Sequence, residues 1–298
     1  MNANFNTAPT ASAPTISSAA MLAELSMSVW LGRKKDKRAS DDVTYQSHAA
    51  KGVASVNKKL LGDCAELTAI QKFVGNVRTT HYASTMPWSD TGLRLLPTAQ
   101  YFKYHEQMTA LQNEFDRLVQ VFLDAYDWEV MQAQTKLGAL FNRDEYPTVD
   151  SLRGKFAFRL NYIPVPDAGD WRVDMGNETQ NALRDQYQKF YEKQMHGAMS
   201  DLNTRLHEQL LRMVAQLEVT PDRKGKVYQS TIDNINNLID LLGATNYTND
   251  PMLQLAEAKL RSALYGADKD DLVRNPAYRE ATKKQVEEAI KSLPSLDL

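Results

Sequence analysis

FAFRLNYIPVPDAGDWRVDMGNE, residues Phe156 to Glu178, separates the two longest helix-like segments of the chain. Phe156, Phe158 and Leu160 alternate with Ala157, Arg159 and Asn161, the period of two that puts one set of side chains on one face of a strand. PVPDAGD supplies a turn, and DWRVDM offers a second short strand. Pro164 and Pro166 cannot donate to a ladder, so they belong at strand ends. A lone hairpin is marginal in water. The stretch therefore needs partners, and the sequence offers two. One is LSMSVWL, where Leu25, Met27, Val29 and Leu31 oppose Ser26, Ser28 and Trp30; the other is Leu93 to Leu96.

The flanking segments carry the helical period. Before the stretch, Phe102, Met108, Leu111, Phe115, Leu118, Phe122, Tyr126, Val130, Ala133 and Leu137 line one face of a helix opened by Thr98 and closed near Gly138. After it, Asn177 with Gln180 reads as a capping box, and Leu183, Tyr187, Tyr191, Met195, Met199, Leu202, Leu206, Leu210, Met213 and Leu217 follow every three or four residues. Each rod would hold about 40 residues and reach about 60 Å. Two rods joined by a compact connector are expected to lie antiparallel. The predicted fold is therefore mainly α with a small antiparallel sheet: two long antiparallel helices, a connector containing the strands, and a helical C-terminal part.

The rest of the chain fits around this body. Residues 1–21 read as a flexible tail without charge, 22–219 as the long-helix body, and 226–298 as a C-terminal helical subdomain. Ser40 or Asp41 is expected to cap a helix reaching about His81, with breaks near Gly52 and Gly62. Beyond TPDRKGK, one helix runs from Tyr228 to Leu242 and is closed by Gly243. Asp250-Pro251 and Asn275-Pro276 start two more. The single cysteine, Cys64, falls on an apolar stripe and reads as an inert core residue in a reducing compartment. With no secretory or mitochondrial leader and no apolar run of membrane-spanning length, a cytoplasmic protein is expected.

Motifs for chemistry are sparse. Gly154-Lys155 and Gly225-Lys226 lack the upstream glycine and the following hydroxyl of a phosphate loop, and no glycine-rich dinucleotide turn or nucleophile elbow occurs. His48, His81, His105, His196 and His207 have neither zinc-protease nor di-iron spacing. Glu192 and His196 read as a solvated pair one turn apart, and His207 beside Glu208 reads no differently. Asp144, Glu145, Asp167, Asp170 and Asp174 gather around the connector, where acids ordinarily cap or solvate turns. No cofactor, metal or catalytic residue is assigned. The basic run Arg33, Lys34, Lys35, Lys37 and Arg38 has two readings, a solvated turn or a phosphate-binding surface, and the first is favoured because Trp30 is the one aromatic beside it. The methionines and aromatics of the rods, Met195, Met199 and Met213 among them, suit a core and an interface with another subunit.

The run LGALFNRDEYPTVDSLRGKFAFRLNYIPVPDAGDWRVD, with Leu137, Gly138, Phe141, Tyr146, Pro147, Leu152, Phe156, Phe158, Pro164, Pro166 and Trp171 in order, resembles an uncharacterised family of bacterial and phage proteins. The strand leading to Gly32-Arg33 and the segment MPWSDTGLRLLP resemble it too. Members are often encoded beside MoxR-type AAA+ ATPases and von Willebrand A-type proteins. The resemblance implies a non-catalytic, oligomeric adaptor or substrate-binding partner of such an ATPase. Arg33 to Arg38 would be its polar contact region, and Tyr146, Pro147, Phe156, Phe158, Pro164, Pro166 and Trp171 its structural connector. The alternative is a nucleic-acid-binding protein that uses the basic run.

Overall fold

A computed structural model of the chain describes residues 16–165, 177–218, 227–246 and 249–293. In chain order the elements are α1 (Ile16–Ala19), β1 (Ala20–Ser28), β2 (Arg33–Asp36), α2 (Lys37–Gln46), β3 (Val56–Lys59), α3 (Ala65–Ala83), β4 (Met86–Pro87), β5 (Leu93–Pro97), α4 (Tyr101–Leu137), α5 (Val149–Arg153), β6 (Ala157–Pro164), α6 (Asn177–Leu217), α7 (Gln229–Thr245), α8 (Pro251–Ala263), α9 (Lys269–Arg274) and α10 (Pro276–Lys291). The fold is mainly α with a small antiparallel sheet, as the alternation and the stripes predict. It divides into two compact units: a sheet unit of Met1–Glu24, Tyr82–Tyr104 and Asn161–Leu298, and a ribbon unit of Leu25–His81 and His105–Leu160. These boundaries differ from a body ending at 219 and a separate subdomain from 226, because α6 shares one core with α7, α8 and α10.

The sheet has the order β4-β5-β1-β6. β1 and β5 are antiparallel from Ala20↔Pro97 to Glu24↔Leu93, and β4 adds Met86↔Leu95. Ala20 and Met21, assigned to the tail from sequence, are thus ladder residues. Within the sheet unit, Asn161 of β6 donates from Nδ2 to Glu24 Oε2 of β1 at 3.2 Å. DWRVDM, Pro166 and Trp171 lie outside the described residues.

Both long helices form, and each is described within the unit that buries it. In the sheet unit, Ala198, Leu202, Leu206, Leu210, Met213 and Leu217 of α6 pack with Ile232, Ile235 and Ile239 of α7, Leu260 of α8 and Val286 of α10. Arg94 and Arg205 converge beside this core. Both donate to Thr85 O, at 2.9 and 3.1 Å, and Arg205 Nε lies 2.8 Å from Asp201 Oδ2. Gly243 does not end α7. It lies inside the helix, where a Cβ would come within 2.5 Å of Glu257 Oε1 on α8.

The ribbon unit holds α4 from His105 onward, whose buried residues include Met108, Phe115, Val119, Phe122, Tyr126 and Val130. Their neighbours in the unit are aromatic. Trp30 stands 6.2 Å from Phe122 and 6.0 Å from Tyr126, Phe156 lies 5.7 Å from Phe122, and Phe158 lies 6.0 Å from Phe115. Phe102, placed on the apolar stripe from sequence, is 80% exposed. Two tyrosines tie loops down: Tyr126 Oη donates to Pro147 O at 3.0 Å, and Tyr146 Oη to Leu60 O.

Candidate functional site

Of the basic run, favoured from sequence as a solvated turn, Arg33, Lys34 and Lys35 lie in strand β2, which pairs antiparallel with β3, and Lys37 and Arg38 open α2. The expected Ser40 or Asp41 cap is corrected as well. Asp36 caps α2 by accepting from Ala39 N at 3.0 Å, and Ser40 is buried, donating to Asp36 O. Gly32 sets the entry into the ribbon. Its φ of +61° and the 2.8 Å from an added Cβ to Leu67 Cδ2 exclude a side chain there. The helix expected to continue toward His81 stops at Gln46 and resumes at Ala65, because VNKK in between pairs with RKKD.

The register sets like charges face to face. Arg33 opposes Lys59, Lys34 opposes Lys58, Lys35 opposes Asn57 and Asp36 opposes Val56. Directly opposed like charges destabilise a sheet, so each face needs an anion. The inner face has its own. Lys58 is 8% exposed, and its Nζ lies 2.8 Å from Glu145 Oε2, 3.3 Å from Asp36 Oδ2 and 2.7 Å from Leu140 O. Three acceptors meet the three protons of the ammonium. Burial works against the charge, but the hydrogen bonds and negative charges of Glu145 and Asp36 outweigh it and raise the Lys58 pKa. Asp36 is held below its usual value, first by the Ala39 N–H and then, against burial, by Lys58. Lys34 adds a longer contact of 3.9 Å to Glu145 Oε1.

The outer face is compensated only in part. Lys59 bonds Asp63 at 2.9 Å and lowers its pKa. Arg33, Lys35, Lys37 and Arg38 are exposed and form no ion pair among the described residues. Lys37 and Arg38 also occupy the first turn of α2, the helix end that disfavours cations. Asp41 and Asp42 follow in the same helix, both exposed. Lys34, Lys35, Lys37, Arg38, Lys58 and Glu145 border a cleft of about 530 Å³. This arrangement can hold an anion, and it offers the cations on a backbone fixed by pairing.

The other candidates are dispersed or committed. Asp144 is exposed in a turn, Glu145 holds Lys58, and Asp167, Asp170 and Asp174 lie outside the described residues. Glu192 accepts from Gln188 at 3.0 Å, and no ion pair with His196 forms among the described residues. His196 instead borders a second cleft, of about 850 Å³, in the sheet unit with Met199, Leu253, Lys259, Glu288 and Lys291. Cys64, Glu66 and Glu129 bring possible ligand atoms within 4.8 Å of one another. The Cys64 thiol donates to Glu66 at 3.4 Å, and burial above all pushes its pKa up to about 11. A protonated thiol is a poor ligand, and its burial suits the inert core residue expected. Of the connector residues, Tyr146, Phe156 and Phe158 are buried in the ribbon unit, Pro147 accepts the Tyr126 hydroxyl, and Pro164 ends β6.

Lys58, Asn57 and Lys59 were not singled out by the sequence reading. VNKK is short and polar, and its alternation acquires meaning only opposite RKKD. Among the described residues, no helix is long and apolar enough to cross a membrane. Compared with protein-family models, curated proteins and solved structures, the chain matches none.

Proposed function

We propose that this is a non-catalytic interaction protein that binds a phosphate-bearing polymer through the cationic ribbon, with no cofactor. The observation that carries the reading is the outer face and its continuation: Arg33, Lys35, Lys37 and Arg38 are exposed and form no ion pair among the described residues, and Arg33 stands opposite another cation. A bound polyanion supplies the missing charge and releases its own counter-ions. Electrophoretic retardation of nucleic acid by the full chain at two salt concentrations tests this. Four phosphate contacts give a log–log salt slope of about −3 to −4, and replacing Lys34, Lys35 and Lys37 with Glu abolishes the shift. Salt-independent binding, or binding unaffected by the three substitutions, refutes it.

A second reading, an oligomeric adaptor in the cytoplasm that serves a MoxR-type AAA+ ATPase, draws on the family resemblance and on one surface. Val121, Trp128 and Met131 of α4 are 44%, 60% and 64% exposed, and their spacing puts them on one helical face. Such side chains are common at interface centres. Sedimentation of the full chain, alone and with the ATPase, tests it, with loss of assembly expected on changing Trp128 and Met131 to Ala.

A further inference from the structure

The outer row of the ribbon holds one uncharged residue among its cations. Asn57 stands between Lys35 across the ladder and Lys59 along its own strand, two residues on. It is exposed, and among the described residues its side chain makes no hydrogen bond. An amide can donate to a phosphate like its cationic neighbours, but it also presents a donor and an acceptor side by side, the pattern that pairs with N6 and N7 of adenine in the major groove. Arg33 and Lys35, on the same face of β2, carry the donors that match O6 and N7 of guanine.

The dimensions agree. Four residues at about 3.4 Å each and two strands about 4.8 Å apart form a ribbon of about 13 by 5 Å before side chains, narrow enough for the major groove of B-form DNA at about 12 Å. The deep, narrow major groove of A-form RNA does not admit it. Nor does the ribbon carry aromatic platforms for single strands, since β2 is RKKD and β3 is VNKK. Lys37 and Arg38 begin α2 directly after the ribbon, and both are exposed.

We propose that the outer face of the ribbon enters the major groove of duplex DNA, where Asn57 and Arg33 reach base edges while Lys37 and Arg38 hold the backbone. This rests on the polyanion reading above and goes beyond it by naming the duplex, the groove and the reading residues. The test uses the full chain and a pool of short randomised DNA duplexes, from which bound sequences are selected. The selected duplex is then compared with its single strands and with a duplex RNA of the same sequence. The DNA duplex is expected to bind tightest, and methylation of guanine N7 in the major groove to block binding. Asn57→Ala is expected to lower affinity for the selected duplex about tenfold and to erase its advantage over the unselected pool. Lys37→Ala is expected to weaken all duplexes alike and to reduce the salt slope by about 1. Both side chains are exposed, so neither change should disturb folding, which circular dichroism checks. Equal affinity for duplex RNA or single strands, indifference to N7 methylation, or an unchanged preference in Asn57→Ala overturns the proposal while leaving the polyanion reading standing. Failure to bind any nucleic acid refutes both.

Discussion

Replacing Lys58 with Met is the sharpest perturbation of the ribbon unit. The change keeps the length of the stem and removes the ammonium that faces Glu145 at 2.8 Å, Asp36 at 3.3 Å and Leu140 O at 2.7 Å. At an effective dielectric of 20, the Glu145 contact alone is worth about 6 kcal/mol of Coulomb energy, which desolvation opposes. The loss is larger than the net worth of the pair because both carboxylates remain. Their side chains are only 11% and 13% exposed. Removing one partner of such a network costs about 3–5 kcal/mol, and the open cleft favours the lower end, about 3 kcal/mol. With an m-value of about 2 kcal/mol/M, the urea midpoint of the ribbon unit falls by about 1.5 M, followed by the fluorescence of Trp30, packed in the same unit against Phe122. The pH dependence gives a second reading. Lys58 has a raised folded-state pKa, so its contribution is complete below the usual lysine value of 10.5 and fades as pH rises through the folded value. Asp36 has a lowered one, so its contribution is present above 3.8 and fades as pH falls. The deficit of the variant should therefore be flat between these ranges and shrink toward pH 3, as Asp36 takes up a proton. A loss below about 1 kcal/mol at pH 7, the range of exposed ion pairs, or a deficit that does not change between pH 7 and pH 3, refutes the account of the ribbon.

Three further outcomes follow from the packing. Leu206→Ala, at a fully buried position of α6, should cost about 2–5 kcal/mol in denaturant unfolding, whereas Leu211→Ala, 49% exposed on another face of the same helix, should stay within about 0.5 kcal/mol. Gly32→Ala meets both a positive φ and the Leu67 side chain and should destabilise by about 2 kcal/mol in the same measurement. Cys64, with its pKa pushed up to about 11, should resist a thiol reagent at pH 8 in the folded protein and react promptly in urea; rapid labelling of the native protein would contradict its burial.

Short-range signals were legible in the sequence wherever the chain satisfies itself locally. Asp250 with Pro251 and Asn275 with Pro276 start α8 and α10 as read, because a side-chain cap and a fixed proline φ act within one turn. The alternation beginning at Leu25 overlaps the end of β1 and that beginning at Phe156 overlaps β6, while the strand expected at Leu93 to Leu96 lies in β5; the part of β1 that pairs with β5, Ala20 to Glu24, carried no such signal. Gly243 misled the reading because a glycine looks the same whether it ends a helix or makes room for a neighbour; here it makes room for Glu257. Lys58 drew no attention, since its partners Leu140 and Glu145 are more than 80 residues away in the chain, as the separation of 82 to Leu140 shows.

The sequence by itself determined the helical content, the position of the two rods and the small antiparallel sheet, because period and capping depend on neighbours a few residues away. Only the tertiary structure decided that α6 buries its stripe against α7, α8 and α10, and that Arg33 to Lys35 of the basic run belong to one strand of a ribbon. An apolar stripe states that a face must leave water but not what covers it, since the hydrophobic effect has no direction. A row of cations likewise shows which of its charges are neutralised only when distant carboxylates have been folded against it.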